Sequence, residues 1–285
     1  MHAKSPTWLV YVEYGETPQW YTRVLYEMSS KYGAELVRVR TDVSPGKSLD
    51  NPNIAFEFSG YQDGLNHVVE RFKAMHVDVG RNLGSNRINL IFLNDTFFYG
   101  HPKYVARVLL SLLLRRSDTL GANIVGLKMP ATLAVQSVAG LDSYVSTWAF
   151  KLSGPLDCIE QVRFFDDEMT VEDFHEKFYI RLPSIFVAHV DDWLSPQKFL
   201  RGWYKAVPGT ALPNSTRRRK EVTIYLESSM PQRLARLGFS QLDVGETGGQ
   251  FQRLGVRALK TVDKIFVNII KMKTRLRYFF GLTEK

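Results

Sequence analysis

An aspartate that closes an apolar run is the residue best placed to do chemistry in this chain. Ile88-Asn89-Leu90-Ile91-Phe92-Leu93 holds five apolar residues among six, and Asn94-Asp95-Thr96 follows directly. Such a run suits a strand buried on both faces, as in a parallel sheet. Open α/β sheets bind ligands outside the carboxyl ends of their strands. Asp95 therefore stands where a carboxylate could hold a divalent cation and, through it, a diphosphate. The plainer alternative is that Asp95 only opens the turn after the strand, as Asn and Asp often do. His101, six residues on, is either a second ligand or phosphate donor, or a surface residue ahead of a helix.

A second constellation lies upstream, in Asn53-Ile54-Ala55-Phe56-Glu57-Phe58-Ser59-Gly60-Tyr61-Gln62-Asp63-Gly64-Leu65. Its composition places Glu57, Gly60, Asp63 and Gly64 between a loop and the start of a helix. Two glycines permit close backbone approach, and free amides at a helix N-terminus suit an anion such as phosphate. Asp63 in that first turn would alternatively only complement the helix dipole. Other catalytic templates are missing. There is no Gly-x-Ser-x-Gly elbow, and Gly46-Lys47-Ser48 lacks the upstream glycine of a phosphate-binding loop. One cysteine and scattered histidines exclude the common Cys/His zinc sites. Cys158 reads as a small buried hydrophobe, or as a lone nucleophile without a supporting pattern.

The elements that must position these residues alternate along the first half. Residues 8–13 read as a strand and Thr17–Tyr32 as a helix, with Pro18 suited to its first turn and Gly33 to its end. Leu36–Arg40 is a short alternating strand, and residues 42–53 are a loop by composition. A helix from about Gln62 to Met75 precedes the 88–93 strand. An apolar helix then runs to about Arg116, and a strand covers Asn123–Leu127. Strands alternating with helices predict a doubly wound, mostly parallel α/β sheet. The second half is less regular. Tyr144–Leu152 is a strand broken by Ser153-Gly154-Pro155, and 171–205 gives helical and loop pieces rich in aromatics. Asn214–Lys220 is a basic loop and 221–227 a short strand. The division expected is a domain over 1–244, a linker over 245–250 and a basic amphipathic helix over 251–285.

Taken together, the order of these motifs resembles glycosyltransferases of the GT-A fold, most closely the bacterial rhamnan-synthesis and related polysaccharide glycosyltransferases. The matching pieces are Asn53–Leu65, Phe92–Phe98 and Tyr144-Val145-Ser146-Thr147-Trp148-Ala149-Phe150, within roughly residues 8–155 and more weakly to about 230. The resemblance implies a GT-A-like sheet and transfer of a hexosyl or deoxyhexosyl group from a nucleotide-sugar donor. The acceptor would be a surface polysaccharide or a lipid-linked glycan. It implies that Asp95 binds the donor diphosphate through a divalent cation, Mg or Mn, and that Glu57, Gly60, Tyr61 and Asp63 line the sugar-nucleotide pocket. The chain departs from the family in one respect: the usual strand-end motif offers two acids, and Asn94-Asp95-Thr96 offers one. A hard cation is often held by one or two carboxylates plus phosphates and water, so one is compatible with binding. An inverting transferase also needs a general base. Asp142, in the loop ahead of the third matching piece, is the first candidate. Asp166-Asp167-Glu168 is the second, or else a solvated turn.

Composition bounds the rest. At 285 residues with 45% hydrophobic residues, the chain can bury a substantial core, and one cysteine excludes an internal disulfide and suits a reducing cytosol. No uncharged apolar run reaches the roughly 18 residues that span a bilayer, and the N-terminus shows no secretory pattern. The net charge of +8 is concentrated. Residues 251–285 carry nine Lys/Arg against Asp263 and Glu284, so nearly all of it lies there. This is not the distribution of a uniformly basic nucleic-acid binder. Leu259, Val262, Phe266, Ile269, Ile270 and Leu276 fall at helical spacing, with lysines and arginines largely off that stripe and Tyr278-Phe279-Phe280 beyond. A basic amphipathic helix with aromatics suits an anionic membrane surface; the alternative is a helix docked on the domain. The expected location is cytoplasmic, peripheral on the inner face of a membrane. Two rival functions stay open: a non-catalytic relative serving as a binding or scaffold subunit of polysaccharide assembly, and a membrane-tethered or nucleic-acid-associated module acting through the tail.

Overall fold

Trp8 to Glu13 are all buried, and this six-residue stretch lies at the middle of the sheet. The computed structural model describes residues 5–13, 17–40, 49–50, 57–76, 86–100, 103–115, 121–165, 170–195 and 211–245, with Thr261 and Met272. In it β1 (Thr7–Glu13) pairs in parallel with β2 (Glu35–Arg40), which pairs with a two-residue β3 (Leu49–Asp50). On its other side β1 pairs in parallel with β4 (Arg87–Asn94). The long β6 (Ser143–Pro155) then runs antiparallel between β4 and β5 (Asn123–Pro130), and β7 (Ser240–Asp243) lies parallel to β5. The sheet is thus mixed and mostly parallel, in the order β3-β2-β1-β4-β6-β5-β7.

Alternation of side chains along β1 and β4 divides the core in two. Trp8, Val10, Val12, Leu90 and Phe92 face α2 (Glu57–His76), α6 (Leu156–Glu160) and α9 (Asn214–Arg236). Leu9, Tyr11, Ile91 and Leu93 face α1 (Gln19–Tyr32), α3 (Asp95–Gly100) and α4 (Lys103–Arg115). Helices on both faces make the α/β layering that the alternating pattern predicts. A smaller satellite core forms where α8 (Ser184–Leu194) packs Phe186, Val190 and Leu194 towards Ile224 and Tyr225 of α9. The short α5 (Leu133–Ala139) and α7 (Val171–Lys177) also contact α9. No helix among the described residues is long and apolar enough to cross a membrane.

Several boundaries differ from the expectation. α2 starts at Glu57, five residues before Gln62, so Gly60 and Gly64 lie inside the helix. A Cβ on Gly60 would stand 2.5 Å from Val12 Cγ1, and one on Gly64 2.3 Å from Val10 Cγ1. These glycines let α2 lie close on β1. The expected loop at 214–220 and strand at 221–227 are one continuous helix, α9. Val222, Leu226, Met230 and Leu234 are its buried stripe at spacing four, and the alternation of Val222, Ile224 and Leu226 imitates a strand locally. β6 continues through Ser153-Gly154-Pro155, with Pro155 closing it opposite Arg87. β7 and the β3 pairing fall where no strand is expected. Of the C-terminal segment 251–285, all but Thr261 and Met272 lies outside the described residues, as do residues 246–250.

Candidate active site

The chain leaves β4 and enters α3 without an intervening loop. Asn94 makes this possible: its Oδ1 accepts from the Phe97 amide at 3.3 Å, capping the first turn. Asp95 is the first residue of α3 and only 6% exposed. The Tyr11 hydroxyl, rising from β1, donates to Asp95 Oδ1 and lies 3.3 Å from Thr17 Oγ1. Burial first, and then the charge of Asp95, push the Tyr11 hydroxyl pKa up, which keeps it a donor. The Tyr11 ring meets Phe98 edge-on at 5.8 Å. Asn94 itself is fully buried, and its Nδ2 has no hydrogen-bond partner among the described residues.

On the other face of the sheet, β6 brings a second set of groups to the same end. Ala149 lies opposite Leu93, and Thr147 stands two residues before it in β6, in the stretch where the pairing with β5 shifts register. The Thr147 carbonyl accepts from the fully buried Tyr61 hydroxyl at 2.8 Å. The Thr147 hydroxyl donates to Glu227 Oε1 at 3.0 Å. Glu227 comes from α9, and Pro231 follows four residues later. Pro231 has no N–H, so it cannot donate to the Glu227 carbonyl, and the helix ladder is interrupted at this residue.

The electrostatics single out Glu227. Burial, and then the charge of Glu57, push its carboxyl from an ordinary 4.5 up to about 7, against the Thr147 hydrogen bond and Lys220. Glu57, at the first position of α2, is one turn from Tyr61. Burial raises the Tyr61 hydroxyl well above its usual range, and Glu57, Glu227 and Asp95 each raise it further. Three carboxylates thus act on one phenol. The Tyr61 ring is held by Phe92 at 5.4 Å and Phe150 at 5.5 Å, with Phe164 5.0 Å from Phe92. This aromatic block ties α2, β4, β6 and the segment after α6 together beneath the acids.

The sequence candidates separate in space. Asp95, Glu57 and Tyr61 converge at the carboxyl end of β4. Gly60 is buried against β1, and Asp63 lies in the next part of the same helix, partly exposed. Asp142 is exposed in the bend before β6, where its carbonyl accepts from the Ala131 amide. Five residues, including part of the irregularly paired stretch of β6, separate it from Thr147. His101 and Asp166-Asp167-Glu168 lie outside the described residues. Glu227 and its partner Thr147 were not among the sequence candidates. The one local signal is an acid four residues before a proline, within an otherwise apolar stretch. At the neighbouring end of β1, Glu13 is buried and takes Arg38 Nη2 at 2.9 and 2.6 Å, with Arg40 at 3.7 Å, fixing the ends of β1 and β2.

Among the described residues no group of three or more His, Cys, Asp or Glu is placed to hold a metal ion. The carboxylate of Asp95 has the donor chemistry for Mg or Mn, whose remaining ligands would come from phosphate oxygens and water. Chemically, the site offers a carboxyl group poised near neutrality, a second acid that holds it there, and a buried amide donor beside Asp95. Compared with known proteins, the chain matches no family model, no curated protein and no solved structure.

Proposed function

We propose that the chain is a GT-A-like glycosyltransferase that moves a sugar from a nucleotide-sugar donor to a glycan or lipid-linked acceptor. The observation that carries this reading is Glu227, a carboxyl raised to about 7 that acts, with Glu57 and Asp95, on the one buried hydroxyl of Tyr61. Direct displacement at an anomeric carbon needs a base that is ionised near neutral pH yet still takes a proton. In this reading Glu227, ionised, accepts the acceptor hydroxyl proton while that oxygen bonds to the anomeric carbon. The bond from that carbon to the diphosphate breaks, and the nucleoside diphosphate leaves with the electron pair. Thr147 orients the Glu227 carboxylate, and Glu57 keeps its proton affinity high. A divalent cation on Asp95 would supply charge neutralisation for the diphosphate. Glu227 takes the role that the sequence assigns to Asp142. The basic segment 251–285 would hold the protein at an anionic, cytoplasmic membrane face.

A non-catalytic binding subunit is the second reading, favoured by the burial of Asp95 and its engagement with Tyr11. The test is thermal stabilisation by a panel of nucleotide diphosphates and nucleotide-sugars with Mg²⁺ or Mn²⁺, followed by turnover of the donor that binds. A ligand of the folded state alone raises the midpoint by mass action. The expected result is a nucleotide-dependent shift in both wild type and Glu227→Gln, with turnover only in wild type. Binding without turnover in wild type selects the non-catalytic reading, and undiminished turnover in Glu227→Gln overturns the mechanism.

A further inference from the structure

Arginines with no carboxylate partner among the described residues gather at the far end of α9. Arg233 is largely buried, and its guanidinium donates only to backbone carbonyls: Arg163 at 2.8 Å, Leu226 at 3.3 Å and Phe164 at 3.4 Å. Its Nε is buried and has no partner among the described residues. Burial lowers its pKa, and among the described residues no carboxylate offsets that cost. Arg163 donates to the carbonyls of Glu160 and Val162. Arg236 lies three residues beyond Arg233 and so on the same side of the helix. None of the three forms an ion pair among the described residues, whereas Arg217, on the first turn of the same helix, is paired with Asp191 and Glu221.

Two apolar clefts meet at these cations. One, of about 270 Å³, is lined by Phe164, Met230, Leu234 and Leu237 together with Arg163, Arg233 and Arg236. The other, of about 160 Å³, is walled by Phe165, Phe174, Phe178 and Tyr225 and shares Arg163 and Arg233. Its outer wall, Phe178, is 42% exposed. A cationic cluster with no ion pair among the described residues, set between apolar troughs, is complementary to an anion that carries an apolar chain. Guanidinium groups match phosphate in geometry and charge, and bind it bidentately.

We propose that this double cleft binds a lipid phosphate, with the phosphate on Arg163, Arg233 and Arg236 and the chain lying along the aromatic wall. This holds whether or not the acids at the other end of α9 carry out transfer, because it shares no residue with them. It also differs from membrane attachment through 251–285, which needs no defined phosphate site.

The probe is decyl phosphate, kept monomeric and titrated calorimetrically into the full chain, with inorganic phosphate and decanol in parallel. Decyl phosphate is expected to bind, and each of the other two to bind more weakly by about tenfold or more. Arg163→Glu combined with Arg236→Glu should weaken decyl phosphate by about tenfold, the tail being intact. Arg236→Glu alone, whose side chain holds no other residue in place, should give a loss in the same direction with the unliganded melting midpoint unchanged. Equal affinity for inorganic phosphate would show a free-phosphate site and overturn the lipid assignment. Undiminished binding by both variants, or no binding by wild type, would overturn the site itself.

Discussion

Replacing Glu227 by Gln should stabilise the protein at alkaline pH and leave it nearly unchanged in acid. Glu227 is held at about 7 in the folded chain against an ordinary 4.5. A carboxyl whose folded pKa is raised keeps its proton in the native state while the unfolded chain has lost it. Over that interval the unfolded state binds fewer protons, so stability falls as pH rises. The penalty is absent below about pH 4.5, grows through the interval, and is complete above about pH 7. The full gap corresponds to about 3 kcal/mol, and the partial exposure of Glu227 reduces this to about 2 kcal/mol. Gln removes the ionisation and keeps an oxygen to accept from Thr147, so the packing contact survives. Urea denaturation of both proteins at about pH 5 and about pH 8.5 measures the difference. The variant should gain about 2 kcal/mol relative to wild type between those conditions. A difference that stays flat with pH would refute the claim that Glu227 ionises at a cost in the folded protein, and with it the base assigned above.

Three further outcomes follow from the same contacts. Gly60→Ala and Gly64→Ala place a methyl group on Val12 and Val10, and each should cost about 1–3 kcal/mol by chemical denaturation; an unchanged midpoint for Gly64→Ala would mean α2 does not lie on β1 as described. Tyr11→Phe withdraws the hydroxyl from Asp95 and should cost about 1–3 kcal/mol in the same assay, with a wild-type midpoint refuting the contact. Thr147→Val removes the hydrogen bond that lowers the Glu227 pKa, so the pH at which Glu227 ionises should move upward, read as a shifted midpoint of the pH-dependent stability; a downward or absent shift would place that hydroxyl elsewhere.

The parts of the fold legible in the sequence are those decided by local burial. β1 and β4 are apolar over nearly their whole length because both faces are covered. The end of α1 was readable because Gly33 takes φ 63°, a conformation glycine adopts without strain. α9 was not readable at its middle, since Val222-Thr223-Ile224-Tyr225 favours a strand locally and only packing on β6 and α2 decides for helix. The glycines of α2 were visible, but their use was ambiguous: a phosphate cradle and a tight helix–sheet contact both demand the absence of a Cβ, and the contact with β1 is what the structure displays. Asp95 was legible by its place after β4, whereas its partner Tyr11 depends on strand pairing that no local pattern encodes.

The same reasoning bears on the single acid of the β4 motif. Read along the chain, Asn94-Asp95-Thr96 offers one carboxylate. Read in space, the carboxyl end of β4 is not short of acids, because the first residue of α2 and the middle of α9 bring Glu57 and Glu227 within electrostatic reach of the phenol that also feels Asp95. Their placement differs in kind from a pair of neighbouring motif residues. Asp95 is tied down by a hydroxyl from β1, and Glu227 hangs from a helix whose ladder is interrupted at its own carbonyl. One acid is fixed in position and the other is set near neutrality, and under the proposed mechanism the first binds and the second accepts a proton. Two acids adjacent in sequence share one environment and would be harder to push apart in this way. The separation of roles therefore depends on α2 and α9 both closing on the aromatic block around Tyr61, so a substitution that loosens that block, such as Phe164→Ala, should lower the pKa of Glu227 towards its ordinary value by admitting water.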